Sequence, residues 1–141
     1  MYGDYKAIIK NRNSLVYTYQ NGPFENWNFT YGASGTTAAG LNSTTSDMAK
    51  FFIALDREQV LSRQSMEAAM SATTLVNGTQ VKYGLGWVVD ENKGFKCYGH
   101  EGGGCAWIDY YPVQHLTVIV LCNLTGSKAD EIIKKIAGFY L

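Results

Sequence analysis

Tyr83-Gly84-Leu85-Gly86-Trp87 and, after a short charged turn, Tyr98-Gly99-His100-Glu101-Gly102-Gly103 are the stretches whose reading decides the fold. Both read as strands: aromatic and β-branched residues surround them, and glycine inside a strand marks a place where something approaches closely. In a strand His100 and Gly102 point to the same face. An imidazole there, with open backbone N–H groups beyond it, faces a substrate carbonyl or carboxylate. The other reading is a sheet corner with a satisfied structural histidine, and a lone His-x-Gly does not choose between them.

Working outward, the spacing predicts strands at Lys82–Asp90, Phe95–His100, Cys105–Tyr111 and Leu116–Asn123. Glu91-Asn92-Lys93-Gly94, Gly102-Gly103-Gly104 and Pro112-Val113-Gln114-His115 connect them. Links this short imply an antiparallel meander. Leu116–Leu121 is nearly all apolar, so it should be covered on both faces. Asp109 alternates with Trp107 and Tyr111 and reads as lying on a solvated or half-buried face.

Two helices precede the sheet. Thr44 with Asp47 resembles a capping box, and Met48, Phe51, Phe52 and Leu55 form a helical stripe. A second helix starts at Ser62, with Leu61 and Met66 placed as a hydrophobic staple and Met66, Ala69 and Met70 as its apolar face. A last helix begins near Ser127. Its expected buried face is Ile132, Ile133, Ile136, Ala137 and Tyr140, while Lys134 and Lys135 suit the helix dipole. At the N-terminal end, Tyr5–Lys10 and Leu15–Tyr19 read as a hairpin turning at Asn11-Arg12-Asn13, followed by a long loop, Asn21–Leu41. The chain thus reads as a single α+β domain over 1–141: hairpin and loop in 1–41, two helices in 42–72, an antiparallel sheet of about four strands in 81–123, and a C-terminal helix in 127–141 packed on the sheet.

Composition narrows the function. Twelve basic residues balance twelve acidic ones, which recommends neither nucleic acid nor an anionic membrane as partner. No apolar run is long enough to span a bilayer, and no signal peptide is visible. The three cysteines, Cys97, Cys105 and Cys122, are too few and too scattered for a disulfide scaffold or a zinc site, and read as small buried hydrophobes.

The order of motifs resembles a known family. Ala39-Gly40-Leu41-Asn42-Ser43-Thr44-Thr45-Ser46-Asp47-Met48-Ala49-Lys50-Phe51 is similar to the "GGL-x-ST-x-x-DMAKF" segment of serine β-lactamase-like proteins, the penicillin-binding-protein relatives that include class C β-lactamases, D-Ala-D-Ala peptidases and esterases. Tyr83–Trp87 resembles their YGLGW strand. Tyr98–Gly103 resembles their "GH-T-GG" motif, the counterpart of Lys-Thr-Gly. Val118–Asn123 resembles the strand before their closing helix. Four blocks in the right order are specific together, and they cover the chain from about Gly40 onward.

The resemblance implies a partial β-lactamase/transpeptidase-like fold and acyl transfer on a peptide, ester or β-lactam carbonyl, with no cofactor and no metal. A serine in Ser-x-x-Lys attacks, the lysine and a tyrosine of Tyr-x-Asn handle its proton, and backbone N–H groups hold the oxyanion. Carried over, His100 and Gly102 line the substrate site, and Gly103 supplies an N–H. The sequence also departs from the pattern. No Ser-x-x-Lys occurs in these 141 residues: Ser46 and Lys50 are one residue too far apart, and Thr125-Gly126-Ser127-Lys128 lies after the last strand. Tyr19-Gln20-Asn21 spells Tyr-x-Asn but precedes the helices. Glu101 replaces the usual hydroxyl residue, which brings negative charge where a substrate carboxylate would bind.

The expectation is therefore the C-terminal portion of a serine hydrolase, carrying one wall of the site without the nucleophile and inert alone. Its partner would be the missing N-terminal half, or a second copy in a homodimer through the edge of Leu116–Asn123, unless that edge takes a strand from the chain's own N-terminal hairpin. The alternatives are a non-catalytic binding module with its ligand near Trp87, His100 and Trp107, and an enzyme built on Cys105 or Cys97 with His100.

Overall fold

The structure is a computed structural model and describes residues 17–18, 25–26, 41, 43–103, 105–124 and 126–141. Its elements run β1 (Tyr17–Thr18), β2 (Glu25–Asn26), α1 (Thr45–Asp56), α2 (Arg63–Met70), β3 (Thr73–Thr74), β4 (Gln80–Val81), β5 (Val88–Asn92), β6 (Phe95–Gly102), β7 (Ala106–Tyr111), a 3-10 turn at Pro112–Gln114, β8 (Leu116–Leu121) and α3 (Ala129–Ala137). The frame is an antiparallel sheet in the order β5-β6-β7-β8, as the short links require. Helices cover both of its faces, which gives the α+β architecture expected from the sequence.

Register assigns each face. Residues directly opposite in a ladder project to the same side. Tyr98 lies opposite Tyr110 and Val89, and His100 opposite Ile108, so these face one way. Phe52 and Leu55 of α1 and Met66 and Met70 of α2 pack there around Tyr110. Cys97 lies opposite Asp90, Glu101 opposite Trp107, and Asp109 opposite Val118, so these face the other way, toward Ala129, Ile133 and Ala137 of α3. Strand β8 is covered on both faces: Val118 and Val120 meet α3, while Thr117 and Ile119 line a cleft against α1. Among the described residues β8 pairs only with β7.

Helix α1 starts where the capping residues place it, with the Thr44 side chain accepting from the Asp47 N–H at 3.1 Å. Ser62 caps α2 by accepting from the Ser65 N–H. Phe51 and the staple residue Leu61 remain exposed, so the buried stripes of both helices are narrower than their periodicity implies.

Several expectations are corrected. Lys82–Trp87 is not strand. Gly86 sits at φ +82°, the Gly84 N–H donates to the Trp87 carbonyl at 2.8 Å, and Tyr83 bridges to Val88, so the chain folds back on itself before β5 begins. Strand β8 ends at Leu121 rather than Asn123, and β6 continues through Gly102. Helix α3 begins at Ala129 after Lys128, which has φ 57° and makes no side-chain cap. Ala129, Ile133 and Ala137 are its buried residues, whereas Ile132, Ile136 and Tyr140 are exposed, because the helix is rotated to bring Lys134 against the sheet. Tyr5–Lys10 and its turn lie outside the described residues. Tyr17–Thr18, within the predicted strand Leu15–Tyr19, pairs with Glu25–Asn26, which falls in the segment read as loop.

Candidate functional site

His100 stands near the end of β6, exposed, with both ring nitrogens engaged. Nδ1 lies 2.7 Å from the Glu101 carbonyl, and Nε2 lies 2.8 Å from the Tyr83 hydroxyl. A carbonyl only accepts, so Nδ1 carries the proton and donates. In the neutral ring Nε2 then accepts from the Tyr83 O–H. The two rings meet edge to face, with centroids 5.6 Å apart. The imidazole is thereby held in one tautomer and one orientation.

Tyr83 is fixed in turn by its backbone. Its carbonyl accepts from the Thr73 N–H at 3.0 Å and from the Thr73 hydroxyl at 2.8 Å. The following turn is pressed onto the end of α2: the Leu85 N–H donates to the Ala69 carbonyl at 2.7 Å. A Cβ on Gly84 would stand 2.2 Å from that same oxygen, so this glycine is there for close approach. Gly99 has the same reason, since its Cβ would fall 1.8 Å from the Ile108 carbonyl. The glycines around the histidine are thus structural: Gly84 lets the Tyr83 turn lie against the end of α2, and Gly99 lets β6 lie close against β7.

Gly102 and Gly103 follow at the rim. Gly102 ends β6 opposite Ala106 and points to the same face as His100. Gly103 turns at φ +57° and is exposed. A Cβ on Gly102 would lie 3.4 Å from the Ala106 Cβ, ordinary contact, so packing does not require a glycine there. His100 and Gly102 therefore share one face and one strand end, with Gly103 next in the chain.

Other candidates are separated by the same alternation. Trp87 packs edge to face on Phe52 with centroids 6.2 Å apart, on the His100 side. Trp107 lies on the opposite face, so a cleft shared by Trp87, His100 and Trp107 does not exist. Glu101 also faces away from His100, and lines a cleft of about 330 Å³ with Trp107, Lys128 and Asp130. Its charge therefore does not sit where a ligand against His100 would lie. Cys97 is on the α3 face, fully buried, and burial first, then the Asp109 charge, push its thiol up. Burial likewise raises the Cys105 thiol. Neither makes a Cys–His pair.

The sequence reading also missed two polar clusters. Asp109 is 3% exposed, not solvated. Its carboxylate accepts from Trp107 Nε1 at 2.9 Å and the Tyr111 hydroxyl at 3.2 Å, and pairs with Lys134 Nζ at 3.2 Å. Lys134 also donates to Asp90 at 2.8 Å. Burial works to lower the ammonium's pKa, but the Asp90 hydrogen bond and the Asp109 charge outweigh it and hold Lys134 well above the ordinary lysine range. On the other face Asp56 accepts from the Tyr110 hydroxyl at 2.8 Å and meets His115 Nδ1 at 2.9 Å. Both clusters tie a helix to the sheet. The shared parity of Asp109, Trp107 and Tyr111 was the signal for the first; nothing local marked the second. Among the described residues no group of three or more His, Cys, Asp or Glu side chains is arranged to hold a metal ion.

A four-stranded antiparallel sheet packed between helices, with a His-x-Gly at a strand end, is consistent with the partial β-lactamase-like fold that the sequence motifs resemble. The β-lactamase family model matches residues 6–139, and the chain belongs to that family. Penicillin-binding protein 4* of Bacillus subtilis (strain 168) is 37% identical over 91 residues, covering 59% of this chain and 19% of that protein. The chain therefore spans a small part of the length of the relative it matches. No solved structure matches it.

Proposed function

We propose that this chain forms the His-x-Gly wall of an acyl-transfer site in a β-lactamase-like serine hydrolase, and that the serine nucleophile is supplied from outside these 141 residues. The observation that carries this is the fixed Tyr83–His100 pair beside Gly102 and Gly103, in a sequence with no Ser-x-x-Lys. In this reading His100, whose two ring nitrogens are engaged by Glu101 and Tyr83, forms the wall against which the substrate's carbonyl or carboxylate group lies. Gly102 keeps the strand edge low enough for substrate to lie along it. The Gly103 N–H donates to the oxyanion that develops on acylation. The substrate class is an acyl donor: a peptide, an ester or, by analogy with the name of the similar protein, a penicillin.

The partner is the segment carrying Ser-x-x-Lys, seated beside the outer edge of β8, or a second copy of the chain paired through that edge. Among the described residues β8 pairs only with β7, and an open, largely apolar strand edge is a template for another strand.

The test is intact mass after exposure to a fluorophosphonate and, separately, to a penicillin. The 141-residue chain should take up neither. With the upstream segment of its own protein supplied in cis or in trans, one adduct per molecule should form, and His100→Ala should slow its formation by about 10²-fold. A stoichiometric adduct on the isolated chain would place a nucleophile within it and end this reading.

A further inference from the structure

Two of the three cysteines face each other across the sheet. Strands β7 and β8 are in register with Ala106 opposite Leu121. One residue further out, the Cys122 N–H donates to the Cys105 carbonyl at 2.7 Å, so Cys105 lies directly opposite Cys122. By alternation both side chains project to the α3 face, where Cys122 packs at the margin of the core with Trp107. Both thiols are half-buried, whereas Cys97 is 0% exposed. From this we propose that Cys105 and Cys122 form a reversible cross-strand disulfide, a redox modification site beside the Gly102–Gly103 turn.

Geometry permits the bond with little movement. Opposed residues in an antiparallel pair have Cβ atoms about 4.5–5.5 Å apart, and a disulfide spans about 3.5–4.5 Å between Cβ atoms. The closure is on the order of 1 Å. It falls at the strand ends: Cys105 precedes β7, Cys122 follows β8, and Gly103 and Gly126 stand nearby in sequence at positive φ. Both sulfurs are only partly buried, and exposed disulfides are among the reducible, regulatory kind.

The chemistry is thiol–disulfide exchange with a low-molecular-weight disulfide such as oxidised glutathione. One protein thiolate attacks a glutathione sulfur and releases one glutathione thiolate. The second protein thiolate then attacks the mixed disulfide at the protein sulfur and releases the other. The two cysteines lose two protons and two electrons, the S–S bond of the oxidant breaks, and the Cys105–Cys122 bond forms. Burial, the neighbouring Cys122 and Glu101 all push the Cys105 thiol up, so exchange should quicken as pH rises.

The bond has a local consequence. In the reduced chain the Cys105 N–H and Sγ both approach the Gly102 carbonyl, at 3.1 and 3.5 Å. Oxidation removes the S–H donor and draws Sγ toward Cys122, leaving the backbone bond to hold the turn alone.

The test equilibrates the purified chain in glutathione redox buffers, quenches with N-ethylmaleimide under denaturing conditions, and maps chymotryptic peptides. The oxidised chain should lose two hydrogens, show Cys105 and Cys122 peptides joined, and carry label on Cys97 alone. Excess reductant should restore three labelled cysteines. Cys105→Ser and Cys122→Ser should each abolish the intrachain link. Three labelled cysteines at every redox ratio, a bond involving Cys97, or glutathione retained as a mixed disulfide would each overturn the proposal.

Discussion

The most informative residue for stability is Lys134, because it answers a carboxylate that has left water. Asp109 is buried and keeps two neutral donors, Trp107 and Tyr111, but among the described residues its charge is balanced by Lys134 alone. Breaking a buried pair from one side costs about 3–5 kcal/mol, since the remaining charge is stranded. The two donors and the partial exposure of Lys134 place Lys134→Met nearer the low end, at about 3 kcal/mol by urea denaturation. Lys134→Met combined with Asp109→Asn should recover part of the loss; a single-variant cost below about 1 kcal/mol would show the pair to be incidental. The pH dependence has two limbs. At Asp90 burial acts upward, but the Lys134 hydrogen bond, the Glu91 N–H and the Lys134 charge together hold the carboxyl below its ordinary 3.8. A depressed carboxyl stabilises above its unfolded value, and that contribution is lost as pH falls through the folded one, so the urea midpoint should drop below about pH 4. A raised lysine works the other way: its contribution is complete below the ordinary 10.5 and fades above it. The alkaline limb should therefore be weaker in Lys134→Met, and an unchanged one would assign it to other groups.

At the scale of elements, what could be read from the sequence was what depends on neighbours a few residues away. Thr44 and Ser62 announce their helices because each cap satisfies an N–H three residues on, a local event. The meander was legible because short links leave antiparallel pairing as the natural outcome. The Tyr83–Trp87 turn was misread because its aromatic composition suits a strand, while the pressure that folds it comes from the Ala69 carbonyl on a helix distant in sequence. His100 and Gly102 were found at one strand end as expected, yet Tyr83 as the partner of His100 required knowing that the turn folds back. Asp109 was placed on the wrong face because charge was weighed above alternation. The start of α3 was missed because it has no local signal: Lys128 occupies the left-handed region without a side-chain cap. That position is strained for a residue with a Cβ, by roughly 1 kcal/mol. Its ion pair with Glu131 is exposed and contributes at most a few tenths of a kcal/mol. Lys128→Gly should therefore raise stability by about 0.5–1 kcal/mol, read as a higher Tm. A lower Tm would mean that the ion pair or the backbone freedom gained on unfolding outweighs the relief.

At the scale of the whole molecule the sheet has unequal edges. Strand β5 is short and carries Asp90 and Glu91, features that discourage pairing. Strand β8 is longer and reads Leu116-Thr117-Val118-Ile119-Val120-Leu121, without a charge or a proline. Its backbone orientation follows from the ladder. Cys122 bonds inward to Cys105, and in an antiparallel pair inward-bonding residues alternate, so Val120, Val118 and Leu116 also turn their polar groups to β7. The N–H groups of Thr117, Ile119 and Leu121 then point away from the sheet. If this edge takes a strand, as proposed, those three amides gain hydrogen bonds while Val118 and Val120, already paired, change little. Hydrogen exchange resolves the two sets. In the isolated chain, a homodimer through β8 slows exchange at Thr117, Ile119 and Leu121 as protein concentration rises, in step with the mass from light scattering. If the upstream segment is the occupant, the chain stays monomeric, the three amides exchange fast at every concentration, and adding that segment slows them. Fast exchange under both conditions, with Val118 and Val120 protected throughout, would leave the edge without a partner strand.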